Sequence, residues 1–175
     1  MTSNNHLVIR QLTHTEVPRQ ARSYPITLLL PDWTNPRNVG AAFRLADAAG
    51  LNGIVLAGST PRPPNSKIGK TARSTVRTVP YTEVADPLTY LRAAREREAY
   101  ILSLEFADNS QSLFDFAPPA GEIILIAGNE SVGISEDLLS LSNAAVHLPM
   151  HGQNTSMNVS VAVGAAVYLL LMKLQ

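Results

Sequence analysis

The sequence predicts an α/β domain with a mostly parallel sheet between helices. Two observations predict it. Strand-like and helix-like segments alternate along the chain. Its 175 residues, 45% hydrophobic and 16% charged, suit one domain with a proper core and exclude a disordered polymer.

The elements follow from local chemistry. Residues 26–30 form a short apolar run stopped by Pro31. Asn35 and Pro36 give an N-cap and a first-turn proline, and Val39, Phe43, Ala46 and Ala49 then keep a helical period until Gly50 ends it. Residues 53–57 read as a second buried strand, and 58–75 as a polar, proline-rich loop with room for a short helix. A short strand is expected over 76–81. Asp86 and Pro87 open a charged helix reaching about 98, and 100–106 is a strand. Residues 107–121 form a loop with an apolar cluster at Leu113, Phe114 and Phe116. A strongly apolar strand spans 122–127, Ser135 caps a short helix to 141, 145–148 is the last strand, and a helix runs from about 156 to 174. In such sheets ligands bind beyond the carboxyl ends of strands.

The formal net charge is zero, but it is divided. Residues 1–77 carry ten bases against three acids, a net of +7; residues 78–175 carry four against eleven, a net of −7. Such a division suits an anionic partner for the basic half, unless folding intermixes the halves. The absence of cysteine excludes disulfides, thiolate metal sites and a cysteine nucleophile. The first residues hold no apolar stretch of signal-peptide length, and residues 159–172 are too short to span a bilayer, so a cytoplasmic protein without a membrane partner is expected. Nucleotide-binding glycine fingerprints and a serine nucleophile elbow are absent. His147 and His151 are separated by Pro149, which argues against a shared helical face for a metal.

Three segments carry candidate chemistry. In the first, Arg37, Ala41, Arg44 and Ala48 lie on one helical face opposite the apolar stripe. Arg44 can grip phosphate there, or pair with Asp47; Gly40, Ala41 and Ala42 let another surface approach. In the second, an apolar strand runs into Gly128-Asn129-Glu130. This is either a ligand-facing strand end, with Gly128 allowing close approach, or a polar turn before a helix. In the third, Ser156 and Asn158 cluster at the start of the last helix, where free amides can receive a ligand or where Ser156 is simply the N-cap.

Together these segments, residues 35–50 (NPRNVGAAFRLADAAG), 127–135 (AGNESVGIS) and 148–161 (LPMHGQNTSMNVSV), resemble the SpoU/TrmH branch of the SPOUT superfamily of RNA methyltransferases, over about residues 25–172. The resemblance implies a methyltransferase domain over 25–175 behind a basic arm of residues 1–24. It implies a deep C-terminal trefoil knot, a homodimer, S-adenosylmethionine as cofactor and 2′-O-methylation of an RNA ribose, in transfer or ribosomal RNA. A compact domain with a basic arm fits transfer RNA slightly better.

By motif position, Gly128, Leu148 and Met157 line the cofactor site largely through backbone groups, with Leu104, Glu105, Asn129 and Met150 beside them. Asn38, Arg44, Glu130, Ser156 and Asn158 match the catalytic and structural polar positions. Glu130 is expected to orient Arg44 or a dimer-related loop rather than to abstract a proton. Arg37, Lys67, Lys70 and Arg73 are the expected RNA-binding bases. The sequence departs from the family at Met157, usually Leu, and at residues 70–75 (KTARST), where a Lys-Thr-Ala-Leu-Gly-Ala-like segment is usual. A non-catalytic RNA-binding or assembly factor on the same scaffold is the alternative, and the missing glycine fingerprint argues against a nicotinamide enzyme.

Overall fold

The computed structural model describes residues 9–13, 15–18 and 22–175. The predicted N-terminal arm therefore falls partly outside the described residues. Seven strands form one sheet: β1 (Tyr24–Pro31), β2 (Leu51–Ala57), β3 (Tyr81–Val84), β4 (Tyr100–Leu104), β5 (Gln111–Ser112), β6 (Ile123–Ala127) and β7 (Ala144–His147). Their order is β3-β2-β1-β6-β4-β7-β5, and every pairing is parallel. Among the described residues four α-helices lie between strands, α1 (Pro36–Ala49), α2 (Ser66–Ala72), α3 (Pro87–Glu96) and α4 (Glu136–Ser140), and α5 (Val159–Lys173) follows the last.

Side-chain alternation along the central strands builds two cores. Leu28 and Leu30 of β1 and Leu125 of β6 pack with Phe43 of α1, Ile68 of α2 and Val167 of α5 on one face. Leu29, Ile124 and Ile126 pack with Leu91 of α3 and Leu138 of α4 on the other. These side chains are fully or nearly fully buried, each contributing roughly 1.5–3 kcal/mol relative to exposure. The sheet thus lies between helices on both faces, as predicted.

Local signals act where expected. The Asn35 side chain accepts from the Arg37 amide at the start of α1, and Gly50 ends the helix at φ +62°. Asp86 accepts from the Leu88 and Thr89 amides at the start of α3.

Four expectations need correction. The strand expected over 76–81 is displaced: Arg73–Arg77 form a 3-10 turn, closed by Thr78 and Val79 amides donating to the Thr75 carbonyl, and β3 starts at Tyr81. Its residues Tyr81 to Glu83 are exposed on an edge strand, so they carry no apolar run to mark it. Inside the loop of 107–121, Gln111 and Ser112 pair with β7 as β5. Ser135 holds the cap position of α4, but its side chain accepts no helix amide. The last helix starts at Val159, because Asn158 rather than Ser156 accepts from the Ser160 amide. Among the described residues no helix is long and apolar enough to cross a membrane.

Candidate active site

The chain runs outward from β1 to β2 and β3, then continues on the other side of β6. Strand order thus reverses between β1 and β6, the place where open α/β sheets put their ligand crevice. The loop after β1 and the loop after β6 meet there. The buried Trp33 indole N–H donates to the Ala127 carbonyl at 2.8 Å, and the Asn129 side-chain amide donates to the Asp32 carbonyl. Asp32 has φ +52°, and its carboxylate accepts from the amide (2.8 Å) and hydroxyl (2.9 Å) of Ser59, beyond β2. Three adjacent strand ends are thereby joined.

Glu130 is the hub of this junction. Its carboxylate accepts from the Thr34 amide (2.8 Å), the Thr34 hydroxyl (3.1 Å), the Asn35 amide (3.1 Å) and the Asn38 side-chain amide (3.0 Å). An acid placed against amides at a helix start is favoured by their partial positive charge. Burial pushes the Glu130 carboxyl up, but hydrogen bonds from the Thr34 amide, the Asn38 side chain and the Glu130 and Asn35 amides outweigh it, and it stays below the usual glutamate value. The expected partnership of Glu130 with Arg44 is absent within the chain. Asn38, buried, passes the network on: its Oδ1 lies 3.5 Å from the Asn158 side-chain amide, while Asn158 Oδ1 caps α5.

Beside this hub lies a cavity of about 600 Å³. Leu104 and Glu105 reach it from the end of β4, and Gly128 and Asn129 from the end of β6. Leu148, Met150 and Met157 reach it from the segment between β7 and α5. All seven residues expected to hold a cofactor thus share one wall-to-wall site, joined by Glu130, Ser156 and Asn158. Its volume is within the roughly 300–1,000 Å³ usual for small-ligand sites. The wall is a mixture of apolar side chains, polar side chains and loop backbone, which suits a ligand with an apolar ring and several polar groups.

Gly128 is needed for a reason other than ligand approach. A Cβ there would lie 2.4 Å from the Gly133 carbonyl carbon, so its absence lets the 128–133 loop fold on itself. That loop is closed by reciprocal amide-to-carbonyl bonds between Asn129 and Gly133, and its Gly133 has φ +70°. Glu105 fastens the far side, accepting from the Ile134 amide at 3.1 Å.

The other predicted residues stand elsewhere. Arg44 is exposed on α1, outside the cavity wall, with no side-chain hydrogen bond or ion pair among the described residues; the Arg44–Asp47 pair does not form. Arg37, Lys67, Lys70 and Arg73 are all exposed. The last three belong to α2 and its C-cap, where Arg73 adopts φ +58° in the departing 70–75 segment. α2 packs on α1 at Gly40, whose missing Cβ would lie 2.7 Å from Thr71 Cβ. The close surface expected at Gly40 is therefore α2.

Thr34 and Asn35, the amide donors to Glu130, were not among the predicted site residues; free amides at the first turn of α1 are the signal that points to them. Phe106 and His147 also line the cavity, and nothing in the sequence marks Phe106.

Known proteins share this sequence pattern and fold. The chain is 31% identical over 144 residues to a Ralstonia nicotianae 23S rRNA (guanosine-2′-O-)-methyltransferase RlmB, covering 82% of this chain and 57% of the relative. It is 30% identical to the Neisseria meningitidis protein of that name, covering 80% and 55%. The chain thus spans little more than half the length of these relatives. Among solved structures, an AdoMet-bound rRNA methyltransferase from Sinorhizobium meliloti shares the fold with a TM-score of 0.82 at 23% identity, covering 90% of this chain and 59% of the other. A structure described as giving insight into 2-OH methylation of C/U34 on tRNA matches with a TM-score of 0.76 at 26% identity, covering 86% and 98%. The model of the SpoU rRNA Methylase family matches residues 25–168, most of the described sheet and all three motif segments, and the chain belongs to that family.

Proposed function

We propose that the chain transfers a methyl group from S-adenosylmethionine to a ribose 2′-hydroxyl of RNA. The observation that carries this reading is the cavity of about 600 Å³ built by the loops after β4, β6 and β7, fastened to the start of α1 through Glu130, Asn38 and Asn158. The cofactor, when bound there, supplies an electrophilic methyl on a sulfonium. Leu104, Glu105, Gly128, Asn129, Leu148, Met150 and Met157 would hold it.

The ribose oxygen must shed its proton as it takes the methyl. Glu130 is already committed to four donors and stays ionised as an anchor, which leaves it no role as the base. Arg44 stands exposed on α1 with its guanidinium making no side-chain hydrogen bond or ion pair among the described residues. Its unpaired fork is free to clamp the target phosphate and stabilise the developing alkoxide. The ribose proton then passes to water. Asn38, buried with both ends of its side-chain amide engaged, ties Glu130 to Asn158 rather than meeting the ribose, and Ser156 and Asn158 hold the loop before α5.

Ribosomal RNA is the preferred target class, because the relatives at 30–31% identity carry that substrate in their names. This reading places the protein in the cytoplasm. The trefoil threading belongs to the same reading: β6 lies between β1 and β4, and the segment after β7 returns to α5 on the face that carries α1. So does a homodimer. Val161, Tyr168 and Met172, with Ala165 between them, form an exposed apolar stripe on α5.

The test is incubation with methyl-labelled S-adenosylmethionine and total RNA, followed by mapping of the label. Label on ribose 2′ oxygens is expected. Label in bases would sink the reaction, and cofactor and RNA binding without transfer would favour the non-catalytic scaffold.

A further inference from the structure

His147 ends β7 and lines the cavity, yet the reaction described above gives it no task. Its Nδ1 lies 3.0 Å from Ser110 Oγ. Ser110 Oγ also lies 2.8 Å from the Ala107 carbonyl, to which it donates, and accepts from the Ala107 amide at 3.1 Å. A serine hydroxyl has one proton. With that proton on the Ala107 carbonyl, Ser110 meets Nδ1 only as an acceptor, so the imidazole proton sits on Nδ1. In the neutral ring Nε2 is then an acceptor, and no protein donor reaches it among the described residues.

The ring is also held in place. Phe106 stacks on it with centroids 4.4 Å apart and planes at 21°. Phe106 stays 54% exposed, so its ring is spent on the imidazole rather than on the core. The backbone below is fixed as the Leu113 amide donates to the His147 carbonyl at 2.8 Å. One loop, residues 105–113, therefore sets the plane, the tautomer and the backbone of a histidine that faces a ligand cavity. Such support around a group with a free acceptor is how binding sites are preorganised.

We propose that His147 is a cofactor-binding residue: its Nε2 accepts a hydrogen bond from a hydroxyl or amino group of S-adenosylmethionine, with Ser110 and Phe106 as its positioning residues. This rests on the functional reading above. The competing explanation is a purely structural staple between β7 and the 105–113 loop.

Titration calorimetry of the full chain with S-adenosylhomocysteine separates the two, with ligand-free melting as the control. His147→Phe keeps an aromatic ring against Phe106 and removes Nε2; it should bind three- to tenfold more weakly, as loss of one hydrogen bond to a ligand implies, with an unchanged melting temperature. His147→Gln returns an amide oxygen near the Nε2 position and should recover affinity to within twofold of the wild type. Undiminished binding by His147→Phe overturns the proposal. So does equal weakening of both variants, or weakening accompanied by early melting. Absence of binding by the wild-type chain overturns the functional reading and takes this proposal with it, whereas tight wild-type binding unaffected by His147→Phe overturns this proposal alone.

Discussion

Glu130 shows how much one carboxylate can organise. It holds the amides of Thr34 and Asn35 and the side chain of Asn38, tying the loop after β6 to the first turn of α1. Its hydrogen bonds keep its pKa below that of an unfolded glutamate. The linked stability is therefore complete above the ordinary value of ~4.3 and is lost as pH falls through the depressed folded value. Glu130→Gln removes the charge at nearly constant shape. Urea midpoints of the two proteins should differ most at neutral pH, with the wild type higher, and converge below about pH 4. A gap that stays constant with pH would mean that shape, not charge, is what Glu130 provides.

At the scale of elements, the packing of α1 on α2 decides where the basic residues of α2 stand relative to the site. Gly40 makes that packing close: an added Cβ would lie 2.7 Å from Thr71 Cβ and 2.8 Å from the Ile68 carbonyl oxygen. Gly40→Ala gains about 0.8–1.0 kcal/mol of helix propensity. Overpacking against a backbone atom costs about 1–3 kcal/mol, so the clash wins and the variant is destabilised. Gly69→Ala, on α2, has nothing within 4 Å of the new methyl and should be stabilised by up to about 1 kcal/mol. Chemical denaturation of both variants reads the opposite signs directly.

For the molecule as a whole, three bases of the positive half stand together on one element. Lys67, Lys70 and Arg73 are exposed on α2 and its cap and form no ion pair among the described residues, while Arg10 of the N-terminal arm is occupied by Glu16 at 2.7 Å. Arg10 and the Thr13 amide and hydroxyl hold the Glu16 carboxyl down at about 2. The α2 bases are thus better placed than Arg10 to meet phosphate. Changing Lys67, Lys70 and Arg73 together to Gln should weaken RNA binding and lower its log–log salt slope by about 2–3, with cofactor affinity unchanged. Equal loss of cofactor affinity would show that these bases serve the fold. The exposed α5 stripe makes a second prediction at this scale. On the proposed dimer, the wild type should sediment as a dimer and Val161→Asp with Tyr168→Glu as a monomer at the same concentration; a monomeric wild type would overturn the dimer.

What the sequence determined by itself was everything encoded within a few residues. The Asn35 and Asp86 caps, the Gly50 stop and the apolar runs of β1, β2, β4 and β6 set most helices and strands. The motif segments were legible because each is contiguous; they named Gly128, Asn129, Leu148, Met150 and Met157, and the end of the strand before them added Leu104 and Glu105, all on the cavity wall. The exposed edge strand β3 and the two-residue β5 were not legible, because pairing with a neighbour, not an apolar run, creates them. Nor were the partners of Glu130, which lie 92 to 96 residues earlier in the chain. The partnership depends on β1 and β6 being adjacent in the sheet, which no local signal states. Tertiary structure alone decided that Glu130 anchors Asn38 instead of Arg44, that Gly128 serves its own loop, and that His147 lines the cavity with its Nδ1 held by Ser110. The Glu130 and His147 contacts join segments at different strand ends, which only the strand order brings together, and the Gly128 contact depends on how its own loop closes.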